Sequence, residues 1–255
     1  MRLLARKLYY WPQDLFSIKN DLIPPKGLIY TGRGDFIKVG KFWAQKFIKE
    51  GGLKPADNLL DIGSGIGRMA VGLTPFLKGE YEGFDAVKQG VDWCKTHITA
   101  RFPNFHFTYV NLNNDLYKSA GIDAATFKFP YEADKFNFAI SISVFTHMLD
   151  NEVENYLKET NRVLERGGIL MSTFFIVGQD YTSENSGFHF PYDHGNYLLM
   201  DEVVKSANVA FRKEYLFNLC KLNGFEIVSY VPGYWQKSVA QQENDFQDYL
   251  ILKKK

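Results

Sequence analysis

Two cysteines in 255 residues, Cys94 and Cys220, leave no basis for a disulfide-stapled scaffold or a cysteine zinc site. They stand far apart, without His or Cys neighbours at metal-ligand spacing, and read as buried thiols of a cytoplasmic protein. No apolar run approaches the length of a bilayer span, and the first residues lack a secretory leader's hydrophobic stretch and cleavage site. Charge of one sign is missing too. Thirty Lys plus Arg face 29 Asp plus Glu, a net +1, so no strong field favours nucleic acid as a partner. Internal repeats are absent. What is present is an ordinary folded composition, 45% hydrophobic and 23% charged, with aromatics somewhat high at 16%, which implies apolar or stacking surfaces to cover. One α/β domain with embellishments suits this length better than two independent domains.

Residues 1–35 hold Pro12, Pro24, Pro25, Gly27, Gly32 and Gly34, a density of breakers that predicts an irregular arm with at most one short helix. Within 2–16, Arg2, Arg6 and Lys7 mingle with Leu3, Leu4, Leu8, Tyr9, Tyr10, Trp11 and Phe16. That mixture suits an arm packed on its own domain, and peripheral contact with a membrane surface is the alternative. From Phe36 to Glu50 apolar residues recur at helical spacing (Val39, Phe42, Trp43, Phe47, Ile48), and Gly51-Gly52 closes the segment.

Strands and helices then alternate. Strands are expected at 58–62, 81–84 (ending at Asp85), 105–110, 136–142 and 169–175, and helices at 68–77, 88–100 and 151–164, with a turn at Gly167-Gly168. Asn111, Asn113 and Asn114 mark an irregular stretch. Such alternation implies right-handed crossovers and a largely parallel, doubly wound sheet covered on both faces. The pattern fails through 178–196, rich in Gly, Ser, Tyr and His, before helices around 200–204 and 212–222. Two last strands, 225–230 and 248–252, flank Pro232-Gly233-Tyr234-Trp235. The boundaries that follow are an arm at 1–35, a core at 36–178 and 212–255, and an acceptor-side lid insertion at 179–211.

Leu59-Leu60-Asp61-Ile62-Gly63-Ser64-Gly65-Ile66-Gly67-Arg68 carries the strongest chemical signal. Glycines at a strand-to-helix turn let backbone N–H groups approach a ligand where a side chain would collide. Dinucleotide sites place the third glycine three residues after the second, to serve a pyrophosphate. Here that position is Arg68, and Asp61 adds a carboxylate suited to a cationic amino group and unwelcome beside a pyrophosphate. The loop therefore favours S-adenosylmethionine over NAD. Asp85, ending the second strand, is placed to accept hydrogen bonds from both ribose hydroxyls, with a helix cap as its simpler reading. Asn111 sits where an adenine edge is usually met, and Leu112 where its ring is covered.

The run from Gly34-Asp35-Phe36 through Thr173-Phe174-Phe175 resembles the class I S-adenosylmethionine-dependent methyltransferase family. More narrowly, it is similar to bacterial and archaeal small-molecule or glycan methyltransferases with G-D-F, L-D-I-G-x-G-I-G-R, S-V-F-T-H and R-V-L-x-x-G-G elements. These stand here at 34–36, 60–68, 143–147 and 162–168. The resemblance implies a Rossmann-like seven-stranded sheet with an antiparallel last strand, and a cofactor cleft lined by Ser143, Val144 and Phe145. Asn111 departs from the family's commoner aspartate. The cofactor set becomes Asp61, Gly63, Ser64, Gly65, Gly67, Arg68, Asp85, Ala86, Asn111, Leu112, Ser143 and Val144.

Methyl transfer is an in-line displacement, so holding the acceptor on axis in a dry site supplies much of the rate. A sugar hydroxyl also benefits from a base. His147 is the first candidate and His189 and His194 the second, these two within an aromatic stretch, 188–197, suited to stacking on a sugar. Collection of a divalent ion by His189, Asp193 and His194 is a weaker alternative, and no residue is assigned as a metal ligand. Tyr234 and Trp235 either wall a pocket or fill the core. The expectation is an O-methyltransferase of a small molecule or glycan sugar. Its rivals are an N-methyltransferase of a small amine and a catalytically silent nucleotide-binding or interaction module.

Overall fold

The computed structural model describes residues 3–16, 21–32, 34–113, 121–182, 188–235 and 245–255. Asn114 and part of the insertion, 183–187, fall outside the described residues. The chain divides into two compact units, 1–110 and 111–255.

The first unit opens with helix α1 (Leu3–Phe16), longer than the short helix expected, with Pro12 inside it. Its seat is a single turn of 3-10 helix at Lys26–Leu28. Asp14 accepts from the Lys26 and Gly27 N–H groups at 2.7 and 3.0 Å, and Arg6 Nε donates to the Lys26 carbonyl at 3.3 Å. Leu8, Tyr9 and Trp11 of this helix face solvent. Helix α2 (Phe36–Lys49) starts where the Asp35 side chain accepts from Lys38 N–H at 2.8 Å, an N-cap that satisfies an otherwise orphaned donor.

Helix α3 (Arg68–Leu73) crosses α2 at backbone contact, because a Cβ at Gly72 would lie 2.2 Å from the Gly40 carbonyl oxygen. Strands β1 (Leu59–Ile62), β2 (Tyr81–Asp85) and β3 (Phe105–Tyr109) pair in parallel, in the registers Leu59↔Tyr81 and Tyr81↔Phe105. All four residues of β1 are buried, as a parallel strand covered on both faces requires. Helix α4 (Lys88–Cys94) continues as one π-helical turn, Lys95–Thr99, within the helix expected at 88–100.

In the second unit β4 (Phe136–Ser141) runs parallel to β5 (Leu164–Val177), with helix α5 (Asp150–Val163) between them in sequence. Arg162 of the R-V-L-x-x-G-G element is structural here. It pairs with Glu159 at 2.7 Å and donates to the Phe129 and Tyr131 carbonyls, clipping that loop to α5. The turn expected at Gly167-Gly168 is instead an irregularity inside one strand. Leu164 pairs with Phe136 and Ile169 with Phe138, so the intervening residues bulge out, with Gly167 at φ +82°.

The helix expected near 200–204 is also corrected. The insertion folds as β6 (Tyr192–Asp193), β7 (Tyr197–Leu199) and β8 (Val209–Arg212), joined by antiparallel pairing, and β8 lies parallel to β5. Residues 200–204 form bends and irregular chain after β7, and short runs such as Tyr197-Leu198-Leu199, of which only the two leucines are buried, are too brief to show a helical face. Helix α6 (Lys213–Leu222) leads to β9 (Phe225–Val231), and β10 (Asp248–Lys254) runs antiparallel to both β9 and β5. The fold is thus the expected mostly parallel, Rossmann-like α/β type with its last strand reversed, plus three short insertion strands.

Candidate functional site

The glycine loop follows β1 and is held by main chain. Gly63 and Ser64 both donate to the Phe84 carbonyl at 3.0 Å. Gly65 and Gly67 lie in the left-handed region, at φ +56° and +78°. Gly67 has a packing reason as well, since a Cβ there would sit 2.5 Å from Ile98 Cδ1 and 2.8 Å from Cys94 Sγ. Gly67 therefore seats α3 against the helical turn that carries Cys94 and Ile98. Ser64 leans on Gly83, where an added Cβ would lie 2.8 Å from its own.

Asp85, at the end of β2, turns its carboxylate back to that loop. Oδ2 accepts from Gly65 N–H at 2.8 Å, and Oδ1 accepts from Val87 N–H at 2.8 Å and from the Tyr30 hydroxyl at 3.3 Å. The carboxyl titrates above its ordinary value because burial penalises the charge, against the pull of these three donors. Ala86, next in the chain, is half-buried.

Asp61, in β1, is 2% exposed and accepts a hydrogen bond from the Tyr81 hydroxyl. Burial pushes its pKa up to about 7, the Tyr81 bond opposes that rise, and nearby Asp85 adds to it. A carboxyl raised in the folded state binds a proton that the unfolded chain has already released. Its contribution to stability is therefore complete below pH 3.8 and is lost as pH rises towards 7. Urea unfolding at pH 5 and pH 8 should show a lower midpoint at pH 8, and Asp61→Asn should narrow the gap. An equal gap in the variant would place that pH dependence elsewhere.

Arg68, expected at the cofactor, faces the arm. Its guanidinium donates to the Thr31 and Gly32 carbonyls at 3.2 and 3.4 Å and lies over the Phe36 ring at 5.3 Å.

The second unit carries the other expected residues. The Asn111 and Leu112 segment is pinned by 121–122, with Ile122 N–H donating to the exposed Asn111's carbonyl at 2.8 Å and Leu112 bridging to Ile122. Ser143 is held at φ +59°, its N–H on Thr173 Oγ1 at 2.7 Å and its hydroxyl donating to Gln247 Oε1 at 2.8 Å. Non-glycine residues persist in such a conformation when surrounding bonds over-determine it. Val144 caps the single turn Phe145–His147.

His147 sits on that turn with Nδ1 at 2.9 Å from the Ser206 carbonyl. A carbonyl only accepts, so Nδ1 carries the proton and Nε2 keeps a lone pair. Burial lowers the pKa of the ring from 6.5, outweighing the backbone carbonyls that favour its protonated form.

His189 and His194 do not gather with it. His189 is exposed, and His194 Nε2 lies 3.0 Å from Glu202 while its ring stacks on Tyr197. Asp193 pairs with Arg212 at 2.6 Å. Among the described residues no three His, Cys, Asp or Glu side chains come together as a metal site.

The aromatic stretch is largely core. Phe190 and Trp235 are 1% and 2% exposed and pack with Phe175, and Phe188 and Phe246 lean on them. Tyr234 meets Phe246 edge-on. At the carboxyl ends of β5 and β8, beside the start of α6, a half-open cavity of about 420 Å³ is lined by Val177, Gly178, Gln179, Arg212, Lys213, Glu214 and Tyr215. Sequence reading missed Tyr30 and Tyr81, whose hydroxyls meet the two acids. The only available hint was the Tyr30-Thr31-Gly32 run ahead of the first helix of the core.

The chain was compared with known families and structures. A family model described as a methyltransferase domain matches residues 37–230. A Methanosarcina mazei S-adenosylmethionine-dependent methyltransferase is 22% identical, with a TM-score of 0.56 over 81% of this chain and 96% of that one. A Burkholderia thailandensis 1,6-didemethyltoxoflavin N1-methyltransferase, solved with its substrate and S-adenosylhomocysteine, is 13% identical, with a TM-score of 0.52 over 86% and 78%. The [4+2]-cyclase SpnF is 16% identical, with a TM-score of 0.58 over 88% and 84%. No described helix is long and apolar enough to cross a membrane. With its glycine loop, its acid-terminated second strand and a domain match over most of its length, the chain belongs to the methyltransferase-domain family, the class I enzymes that use S-adenosylmethionine.

Proposed function

We propose that this methyltransferase acts on a hydroxyl of a small molecule or glycan sugar, with His147 as the general base. The observation that carries the choice of oxygen is the pinned His147 ring, whose Nδ1 proton is committed to Ser206 while Nε2 remains basic. A neutral amine already has a nucleophilic lone pair, whereas a sugar hydroxyl gains from losing its proton as the new bond forms.

On the cofactor side, the donor set fits a nucleoside. Asp85 accepts three hydrogen bonds, one of them from a side-chain hydroxyl, and a carboxylate has about four acceptor positions. In this reading Asp85 takes the ribose hydroxyls, Gly63 and Gly65 allow close approach of backbone, and Ser64 and Ala86 flank them. A cationic amino acid tail beside Asp61 favours its ionised form, so that the two pair on binding, while Asn111, Leu112, Ser143 and Val144 serve the adenine and the cleft wall. Gly67 and Arg68 act indirectly, through helix packing and the arm. When bound, S-adenosylmethionine supplies an electrophilic methyl group on a sulfonium. The cavity beside Val177 and Tyr215 is our candidate for acceptor-side space.

Calorimetry with S-adenosylhomocysteine and NAD tests the cofactor assignment. The first should bind and the second should not. Asp85→Ala should weaken the first by about ten- to a hundredfold, the loss expected for charge-assisted hydrogen bonds. Unchanged affinity in that variant would contradict the role of Asp85. Turnover of a glycan and small-alcohol panel, but not of amines, is the outcome expected for the acceptor.

The alternative is a catalytically silent nucleotide-binding or interaction module of this fold, which the naming of one fold neighbour, SpnF, as a [4+2]-cyclase keeps in view. Cofactor binding without turnover on any alcohol or amine would support it.

A further inference from the structure

The cofactor reading of Asp85 has a stereochemical difficulty, and residue 30 resolves it. Both lone-pair directions of Oδ1 are engaged, by Val87 N–H at 2.8 Å and by the Tyr30 hydroxyl at 3.3 Å, and Oδ2 holds Gly65 N–H at 2.8 Å. With about four acceptor positions on a carboxylate, one remains on Oδ2 among the described residues. A ribose diol giving one hydroxyl to each oxygen needs a position on Oδ1 as well. Two of the three present donors are main chain and fixed by the loop and the start of α4. Tyr30 is the side-chain donor, and its bond is the longest of the three.

The phenol is nevertheless deliberately seated. Gly90 makes room for it, since a Cβ there would lie 2.3 Å from the Tyr30 oxygen. Thr31 follows over the glycine loop, its methyl 3.2 Å from where a Cβ on Gly65 would be. Arg68 then straps the segment through the Thr31 and Gly32 carbonyls while resting on Phe36. Gly32, at φ +72°, lies so close that a Cβ would meet the guanidinium at 3.0 Å. Three consecutive residues of the arm are thus fastened across the loop and the acid that the cofactor requires.

We infer that the Tyr30 hydroxyl is a built-in competitor for the cofactor's ribose at Asp85, held in place by the arm that Arg68 straps to the glycine loop. Admission of the nucleoside exchanges one O–H donor on Oδ1 for another, so Tyr30 sets cofactor affinity without belonging to the reaction. This inference rests on the cofactor role of Asp85.

The test is calorimetry of the full chain with S-adenosylhomocysteine and with its 2′-deoxy analogue. Tyr30→Phe removes the competing donor and keeps the ring, and should bind S-adenosylhomocysteine about fivefold more tightly, as loss of one modest hydrogen bond predicts. The 2′-deoxy analogue, whose single hydroxyl the spare Oδ2 position can take, should gain little. Tyr30→Ala, as a second variant, should shift affinity in the same direction. Equal or weaker binding of S-adenosylhomocysteine by both variants, with the parent binding normally, overturns the competitor role alone. Absence of binding by the parent overturns the cofactor reading of Asp85, and this inference with it.

Discussion

His147→Ala should lower kcat by about 10²–10⁴-fold on the true acceptor, the usual contribution of a positioned general base. Affinity for S-adenosylhomocysteine should stay nearly unchanged, because no cofactor contact is assigned to the ring. The size follows from the state of the ring. It is neutral with a committed Nδ1 proton, and burial holds its pKa below 6.5, so the basic form dominates at neutral pH. The rate should therefore be flat through neutrality and fall only on the acid side of 6.5. His147→Asn is the informative companion, since its amide can still donate to the Ser206 carbonyl while offering no base. If the Asn variant loses as much rate as the Ala variant, the loss reflects proton transfer. An unaltered rate in both would remove His147 from the reaction.

Asp248→Ala should cost about 3–5 kcal/mol of stability, the range for stripping a partner from a buried charged network. Asp248, at the start of β10, is buried and receives Ile176 N–H at 2.7 Å, Gly233 N–H at 2.8 Å and Trp235 Nε1–H at 2.7 Å, with the Tyr230 hydroxyl beside it. Removing the carboxylate orphans those donors under the cluster of Phe175, Phe190 and Trp235. Each buried donor left unsatisfied costs about 1–3 kcal/mol before relaxation.

For a chain of this size the melting temperature should fall by roughly 10 °C. The carboxyl is pushed up to about 6 by burial, against its donors, so its own titration stabilises the fold most below pH 3.8 and progressively less towards pH 6. The loss on mutation comes from the orphaned donors and should persist at pH 8. A variant melting within a degree of the parent would show that water satisfies those groups.

The strand, glycine loop and second-strand acid were legible because their signal is local. Strand, glycine loop, helix and second-strand acid occupy one stretch, and each step is dictated by backbone geometry that only certain residues allow. The Gly65 N–H bond to Asp85, by contrast, is a finding of the structure.

What was not legible depends on contacts between residues distant in sequence. Gly167-Gly168 looks like a turn, yet a strand that keeps pairing on both sides absorbs it as a bulge. Tyr197-Leu198-Leu199 and Val209-Ala210-Phe211 carry no period long enough to separate strand from helix, and pairing with each other decides it. Phe190 belonged to a stretch read as a stacking surface and is core instead, while Trp235, read as pocket wall or core, is core, both packed with Phe175. Arg68 was expected at the cofactor from its place beside the glycine loop, but its partners lie more than thirty positions upstream.

The central claim is that the loop at 63–67 and the carboxylate of Asp85 hold the nucleoside of S-adenosylmethionine. Its most direct test is a crystal structure of the chain with S-adenosylhomocysteine. Both ribose hydroxyls should lie within hydrogen-bond reach of Asp85, with the Tyr30 hydroxyl displaced from Oδ1. A nucleoside bound elsewhere, with the Asp85 carboxylate still engaged only by Gly65, Val87 and Tyr30, would contradict it.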